Sequence, residues 1–140
     1  MAELGVNGLD GLILELEEIA RLPDEVAEEM LDAEAEVVEQ AQRYTGMKMG
    51  VHRTGVTLGA ITHGGMKRTK GGGRVKYVYP RGVNDQGERN AAVAFFNEFG
   101  APKRGIPPRP FILTANEEAA DAAVKAAAEV YDRFLKSKHL

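Results

Sequence analysis

The sequence contains no cysteine, and its only serine is Ser137, close to the C-terminus. The absence of cysteine excludes disulfides, thiolate metal sites and a cysteine nucleophile. Serine hydrolysis is not expected either, because residues this close to a chain end tend to fray and hold no nucleophile in place.

Long apolar runs are also missing. The first five residues lack the basic flank and the apolar stretch of a signal peptide, and no later segment is apolar enough to span a bilayer. We therefore expect a soluble protein that is made in the cytoplasm and has no membrane partner.

Side chains suited to metal binding or acid-base catalysis are few and scattered. The histidines, His52, His63 and His139, have no cysteine or histidine partner at ligand spacing and are interpreted as surface or loop imidazoles. The acidic pairs at 17–18 and 28–29 face away from the apolar side of their predicted helices, as solvated residues do. The sequence therefore predicts no catalytic, cofactor-binding or metal-binding residue, and no enzyme.

Charges of opposite sign are concentrated in different parts of the chain. Residues 1–46 carry 13 acidic and 2 basic side chains, residues 47–109 carry 3 and 12, and residues 110–140 carry 5 and 4. The net charges are therefore −11, +9 and −1, within a total of −3. The two charged parts can attract each other within one subunit, attract neighbouring subunits or bind outside partners; ordinary solvated faces are an equally open interpretation.

The length suits a single domain, 1–140, that begins with an acidic helical segment over 1–46. Apolar residues at three- and four-residue steps predict one helix over 9–21. A second helix is predicted from Pro23 to Gly46, since proline fits a first helical turn and glycine can form a left-handed cap. Its apolar stripe consists of Val26, Met30, Ala33, Val37, Ala41 and Tyr44, widened by Ala27, Leu31 and Val38.

A basic, strand-rich segment is predicted over 47–109. Alternation of Val75, Tyr77 and Tyr79 with their neighbours predicts one strand, and a second is predicted over Ala92–Phe99. A weaker strand is predicted around 58–67, where glycines interrupt the pattern. The polar residues 83–90 are predicted to form a hairpin loop between the first two strands.

The C-terminal segment, 110–140, is predicted to be a long helix ending near Lys136. Prolines at 107, 108 and 110 predict an extended approach, and Thr114 to Glu117 has the form of a capping box. Small residues on its apolar stripe let it lie close to another element; the stripe consists of Ala120, Ala123, Ala127, Val130 and Phe134.

These elements predict an α+β fold, in which a small antiparallel sheet of three to four strands carries the N-terminal helices and the long C-terminal helix on one face. The free edges of such a sheet need cover. Pairing with the next subunit would supply it.

A flexible basic tip is predicted near 66–76, where three glycines are flanked by Lys67, Arg68, Lys70, Arg74 and Lys76. The tip lacks the Gly-Lys-Ser/Thr of a nucleotide loop. Contact with a DNA backbone or an acidic neighbouring subunit is one interpretation, and a disordered hairpin tip is the other. The first gives an alternative function, a small nucleic-acid-binding module.

Three segments of the sequence are similar to the signature of a known family. Residues 54–61 resemble a Thr-Gly-x-Leu-x-x-Ser-Ile segment displaced by one residue. Residues 95–101, Phe-Phe-Asn-Glu-Phe-Gly-Ala, and 108–115, Pro-Arg-Pro-Phe-Ile-Leu-Thr-Ala, resemble aromatic-x-Glu-Phe-Gly-Thr and Ala-Arg-Pro-Phe-Leu-x-Pro-Ala. The chain thus resembles the Hong Kong 97-like phage tail-component family, gene product ten type, over most of 10–135. It departs from the pattern at Ala60, Ala101, Pro108 and Thr114.

The resemblance implies a structural virion protein at the tail neck, assembled in the host cytoplasm. Its role would be tail completion or tail termination in a homo-oligomeric ring, usually hexameric, between the tail tube protein and the head-completion or connector protein, with contact to packaged DNA left open. Glu98 is expected to bond Arg109, and Phe111 to anchor the last helix. The residues expected to build the subunit interface or its framework are Phe96, Glu98, Phe99, Gly100, Arg109, Pro110 and Phe111.

Overall fold

The computed structural model describes residues 2–3, 13–14, 22–51 and 55–138. Its helices are α1 (Asp24–Lys48), α2 (Val56–Gly59), α3 (Asn90–Phe99) and α4 (Phe111–Ser137), with a short 3-10 helix at Pro102–Arg104. Its strands are β1 (Ala2–Glu3), β2 (Ile13–Leu14), β3 (Ile61–His63), β4 (Lys67–Arg68), β5 (Arg74–Val75) and β6 (Val78–Pro80). None of the helices in these residues is both long and apolar enough to cross a membrane.

The α+β class is confirmed, but the strands form three separate antiparallel pairs, β1–β2, β3–β6 and β4–β5, instead of one sheet of three or four strands. Pro80 ends β6, as predicted, since it pairs with Ile61 at the last position of the register. The predicted strand at 75–79 is divided between β5 and β6, and the weaker one around 58–67 becomes α2, β3 and β4. The glycines at 64 and 65 separate β3 from β4.

The predicted helix over 9–21 lies almost wholly outside the described residues. The two of its residues that are described, Ile13–Leu14, pair antiparallel with Ala2–Glu3. For these two residues the helix prediction is wrong.

The long helices α1 and α4 pack against each other and run antiparallel. Gln42 Nε2 donates to Asn116 Oδ1 at 3.0 Å near one end, and Arg133 lies 3.5 Å from Glu29 near the other. Small alanines allow the close approach, because Ala119, Ala123 and Ala127 are buried in α4.

The buried side of α1 is rotated relative to the predicted stripe. Its buried residues include Ala27, Leu31, Ala35 and Val38, whereas Tyr44, the last residue of the predicted stripe, is 66% exposed. Gly46 does not end the helix; it is buried inside α1, which continues to Lys48. A Cβ at Gly46 would lie 2.5 Å from Leu58 Cδ2, so a larger residue here would require the Leu58 side chain to move.

The segment predicted as the strand Ala92–Phe99 is a helix, α3. A short apolar run does not distinguish a strand from a helix, and here the buried positions Asn90, Ala94 and Glu98 recur at the four-residue step of a helix face. The polar loop at 83–90 therefore leads into a helix instead of a second hairpin strand. Asn84 Oδ1 closes that loop by accepting from the backbone N–H groups of Gln86 and Glu88 at 3.0 and 2.9 Å.

Two hydrophobic clusters form the core of the described residues. One lies between the N-terminal part of α1 and the C-terminal part of α4 and contains Leu22, Met30, Ala127 and Val130. The other joins α2, β3, α3 and the start of α4 through Val51, Leu58, Ile61, Ala94 and Phe111. Phe111, the first residue of α4, is fully buried in this cluster, as expected of a residue that anchors the helix.

Candidate docking surface

Helix α3 presents three phenylalanines to solvent. Phe95, Phe96 and Phe99 are 59%, 57% and 61% exposed, although the chain has only five phenylalanines. The Phe95 and Phe99 ring centroids lie 4.7 Å apart, and the Phe96 ring meets Phe95 edge-on at 6.3 Å. These residues, called the aromatic face below, form a contiguous apolar surface outside the core.

The inward side of α3 determines this orientation. Ala94 belongs to the core cluster, and Glu98 is buried one turn later. The phenylalanines next to these two positions therefore lie on the outward side of the helix. Gly100 ends the helix with φ +72°, and a Cβ there would lie 2.6 Å from the carbonyl oxygen of Ile106. Only glycine combines this backbone conformation with this close approach.

Glu98 does not bond Arg109 as expected from the sequence. Its carboxylate accepts from the backbone N–H groups of Ile112 and Leu113 at 2.8 and 3.1 Å and so caps the first turn of α4. A carboxylate satisfies the unpaired donors of a helix N-terminus and its positive dipole end. The predicted capping box is wrong, because α4 begins at Phe111 and Thr114 already lies inside it.

Arg109 fixes the extended segment before α4 in another way. Its guanidinium donates to the carbonyl oxygen of Gly50 at 3.0 Å, and its backbone N–H donates to the carbonyl oxygen of Asn97 at 2.6 Å. Pro110 precedes the helix directly. Of the residues assigned to the interface or its framework, Phe96 and Phe99 are exposed, while Glu98, Gly100, Arg109 and Phe111 hold the segment that presents them.

A groove of about 350 Å³ runs beside the aromatic face, between α3 and the start of α4. Apolar side chains line most of it, among them Tyr79, Phe95, Phe99 and Leu113. Phe95 was not among the interface residues assigned from the sequence. The four-residue step from Phe95 to Phe99 would have identified it, had the segment been read as a helix.

Cations lie beside this apolar surface and follow it in the chain. Arg89 lies beside Phe95 and Phe96, and the Arg81 guanidinium lies 5.4 Å from the centre of the Tyr79 ring. Lys103 and Arg104 are exposed on the 3-10 helix that follows α3. No described residue forms a salt bridge with Arg89, Lys103 or Arg104.

The predicted basic tip is a turn between β4 and β5, and most of its cations are paired with α1. Arg68 and Arg74 bind Asp24 at 2.8 and 3.0 Å, and the Arg74 hydrogen bond, supported by Arg68, holds the pKa of the Asp24 carboxyl below its ordinary value. Lys76 binds Asp32 and Glu28 at 2.6 and 3.1 Å. The acidic and basic parts of the chain thus attract each other within one subunit.

Two side chains of the tip are almost fully buried, those of Arg74 and Lys76, at 6% and 7% exposure. Burial alone would lower the pKa of Lys76, but its hydrogen bonds to Asp32 and Glu28 outweigh burial and raise that pKa. Lys67 and Lys70 remain exposed. The surface available for a nucleic acid is therefore smaller than the sequence suggested.

His63 contributes to the same set of contacts. Its Nδ1 contacts Glu39 and its Nε2 lies 3.2 Å from Asp32, so it is a partly buried, paired histidine and not a free loop imidazole. No group of three or more potential metal ligands occurs within the part of the chain that the structure describes. His52 and His139 lie outside those residues.

Glu34 is an isolated carboxyl inside the α1–α4 layer. It is 4% exposed, and among the described residues its Oε1 has no hydrogen-bond partner. Burial raises the pKa of this carboxyl to about 7. Glu34 stands among other acidic residues of α1, so the helical pattern of the sequence does not show that this carboxyl is buried.

No family model, no curated protein and no solved structure is significantly similar to the chain.

Proposed function

We propose that this chain is a structural subunit of a tailed-phage virion. It assembles with identical copies into a ring at the head-proximal end of the tail, where it meets the tail tube protein and the head-completion or connector protein. The observation that carries the proposal is the aromatic face of α3, in which three phenylalanines are each more than half exposed.

Exposed aromatic side chains on one short helix favour association with another protein. Burying apolar surface contributes about 25 cal/mol per Å², and aromatic residues dominate the binding energy of protein interfaces. Contiguous apolar patches on soluble proteins mark such interfaces. The end of α3 is also held in place, since Glu98 bonds the start of α4 and Gly100 lies against the segment 106–108. A preorganised face loses less conformational entropy on binding.

The resemblance to the tail-component family supports the location of the contact. The residues that carry the resemblance most strongly, 95–101 and 108–115, are those that form the aromatic face and the segment behind it. A self-assembling structural role accounts for the resemblance and for the exposed phenylalanines.

The nucleic-acid-binding alternative remains a hypothesis with less support. Arg68, Arg74 and Lys76 are paired with acidic residues of α1, which leaves Lys67 and Lys70 as exposed cations of the tip. Retention on DNA at low salt that is lost in a Lys67→Ala/Lys70→Ala variant would favour it.

Light scattering over a range of protein concentrations tests the proposed function. We expect the wild-type chain to form a species of several subunits, and Phe96→Ser to shift it toward monomer. The matched control is Tyr77→Ser, which removes another aromatic side chain, 55% exposed, away from the aromatic face. A wild-type protein that stays monomeric, alone and with the tail tube protein, would contradict the proposal.

Labelling of particles tests the location. An antibody against the chain should mark the head–tail junction of purified phage particles in electron micrographs. Particles that infect normally and lack the protein would rule out a structural virion role.

A further inference from the structure

Some carboxylates of α1 are left without a strong salt bridge to the rest of the described chain. Residues 24–42 contain eight carboxylates and no lysine or arginine. Asp24, Glu28, Asp32 and Glu39 have partners among Arg68, Arg74, Lys76, His63 and Arg43, and Glu34 is buried. Glu25 and Glu36 have no salt-bridge partner among the described residues, and Glu29 reaches only the exposed Arg133 at 3.5 Å.

The three remaining carboxylates share one side of α1. Glu25, Glu29 and Glu36 follow each other at steps of four and seven residues, which places them along one helical face. Gln40 and Tyr44 continue this face toward the C-terminus, and both are exposed. We call it the outer face of α1.

The outer face also has an apolar strip of small side chains. Ala33, Val37 and Ala41 are only half-buried and lie beside the carboxylates, and the strip ends at Tyr44 and Met47, which are 66% and 61% exposed. This strip belongs to the sequence-predicted apolar stripe and is only partly covered by the core, which Ala33 contacts at its edge. It offers a shallow surface on which larger side chains can lie.

The aromatic face of α3 has the opposite properties. Its apolar side chains are bulky, Arg89 lies beside it, and Lys103 and Arg104 follow it on the 3-10 helix. None of these three cations has a salt-bridge partner among the described residues. Both surfaces are exposed in the same molecule, so neither covers the other within one chain. Bulky apolar groups with cations would fit a small-residue strip with carboxylates in shape and in charge.

We propose that the aromatic face of one copy docks on the outer face of α1 of a second copy. This inference rests on the proposed function and specifies its contact as head-to-tail. Because the two contacting surfaces differ, a pair of copies still has one free aromatic face and one free outer face and can bind further copies. Contacts of this type generate closed rings when the rotation between copies closes, and filaments when it does not.

Paired cysteine variants test the contact directly, because the natural chain has no cysteine. Ala92→Cys places a thiol next to the aromatic face and leaves its three rings in place, and Gln40→Cys places one on the outer face of α1; both positions are exposed. Under mild oxidation we expect an equal mixture of the two variants to form a disulfide-linked heterodimer. Each variant alone should stay unlinked, and the chain carrying both cysteines should form a ladder of larger species.

Charge reversal supplies an independent measurement. Arg89→Glu and Glu36→Arg should each reduce the heterodimer yield about tenfold, and the two changes on opposite partners should restore it. The control is Glu118→Arg, which reverses an exposed charge on α4 outside both surfaces and should leave the yield unchanged.

The outcomes separate this inference from the proposed function. Linkage of Ala92→Cys to itself, without a heterodimer, would show a symmetric contact between aromatic faces; the head-to-tail inference would then be wrong and self-assembly would stand. An associated protein that gives no linkage in any combination would also overturn the inference alone. A protein that stays monomeric under all conditions would remove the proposed function together with the inference.

Discussion

Glu98 joins the aromatic face to the last helix through two hydrogen bonds to backbone N–H groups. Glu98→Ala leaves those donors without a partner at a buried helix start, so we expect the free energy of unfolding to fall by about 2 kcal/mol. Urea denaturation at neutral pH measures the change. Glu118→Ala, which removes an exposed carboxylate further along α4, should stay within about 0.5 kcal/mol of the wild type. Equal effects of the two substitutions would contradict the capping role.

Glu34 should make the stability of the protein depend on pH. Its pKa in the folded chain is about 7, against an ordinary value of 4.5, so the folded state holds a proton that the unfolded state has released between these two values. Stability should therefore fall as the pH rises from about 4.5 to about 7, and the full penalty, on the order of 3 kcal/mol, should be present above that range.

Glu34→Gln tests this dependence because glutamine keeps the size of the side chain without the charge. We expect it to raise the free energy of unfolding at pH 8 by about 1–3 kcal/mol and to have little effect at pH 4.5. Denaturation curves recorded from pH 4.5 to 8 check both parts. Glu36→Gln, two residues away and exposed, should leave the pH profile unchanged. A variant at position 34 that keeps the wild-type slope would show that another group is responsible.

The residue roles that could be read from the sequence were those that depend on local geometry. The burial of Phe111 could be expected, because a large aromatic side chain at the start of a helix has few alternatives to the core. The expected Glu98–Arg109 bond was wrong, because it assumed that Glu98 ended a strand. As a residue of α3, Glu98 faces the N-terminus of α4 instead.

At the scale of elements, the contact between α1 and α2 depends on Gly46. Alanine normally stabilises a helix interior by about 1 kcal/mol relative to glycine, but a Cβ at this position would lie 2.5 Å from Leu58 Cδ2 and 3.1 Å from the Phe111 ring. We therefore expect Gly46→Ala to destabilise the protein by about 1–3 kcal/mol. Thermal and urea denaturation measure the loss.

The chain contains a matched control for that substitution. Gly59 ends α2 with no neighbouring atom within 4 Å of its would-be Cβ. Gly59→Ala should be neutral or stabilising by up to about 1 kcal/mol. A stabilised Gly46→Ala variant would mean that Leu58 moves aside and that the close approach is not required.

The sequence predicted the two long helices and the overall class because their periodic patterns extend over many residues. It missed α3, since eight residues rich in alanine and phenylalanine fit a buried strand as well as a helix. The sequence also did not predict that the buried side of α1 is rotated relative to the predicted stripe. Val37 and Ala41 are as apolar as the residues that the core uses, and only packing against α4 and β3 selects among them.

At the scale of the whole molecule, the opposite charges of residues 1–46 and 47–109 were evident from the sequence, but the partners of these charges were not. The structure assigns Arg68, Arg74 and Lys76 to carboxylates of α1 in the same chain. Such pairs join residues more than forty positions apart, so no local pattern could predict them. The charges left over, on the outer face of α1 and around the aromatic face, became visible only after these pairs were known.

This remaining charge predicts how self-association responds to salt. Screening shortens the reach of surface charges from about 10 Å at 0.1 M salt to about 3 Å at 1 M. If carboxylates of one copy face cations of the next, raising sodium chloride from about 0.05 M to about 0.5 M should weaken association about tenfold, as followed by sedimentation velocity. The Glu25→Gln/Glu36→Gln variant should associate less at low salt and show a flatter salt dependence, whereas Glu118→Gln should behave as the wild type. An association that strengthens as salt rises would indicate a contact formed by apolar surface alone, because salt screens charge pairs while it tends to favour apolar burial.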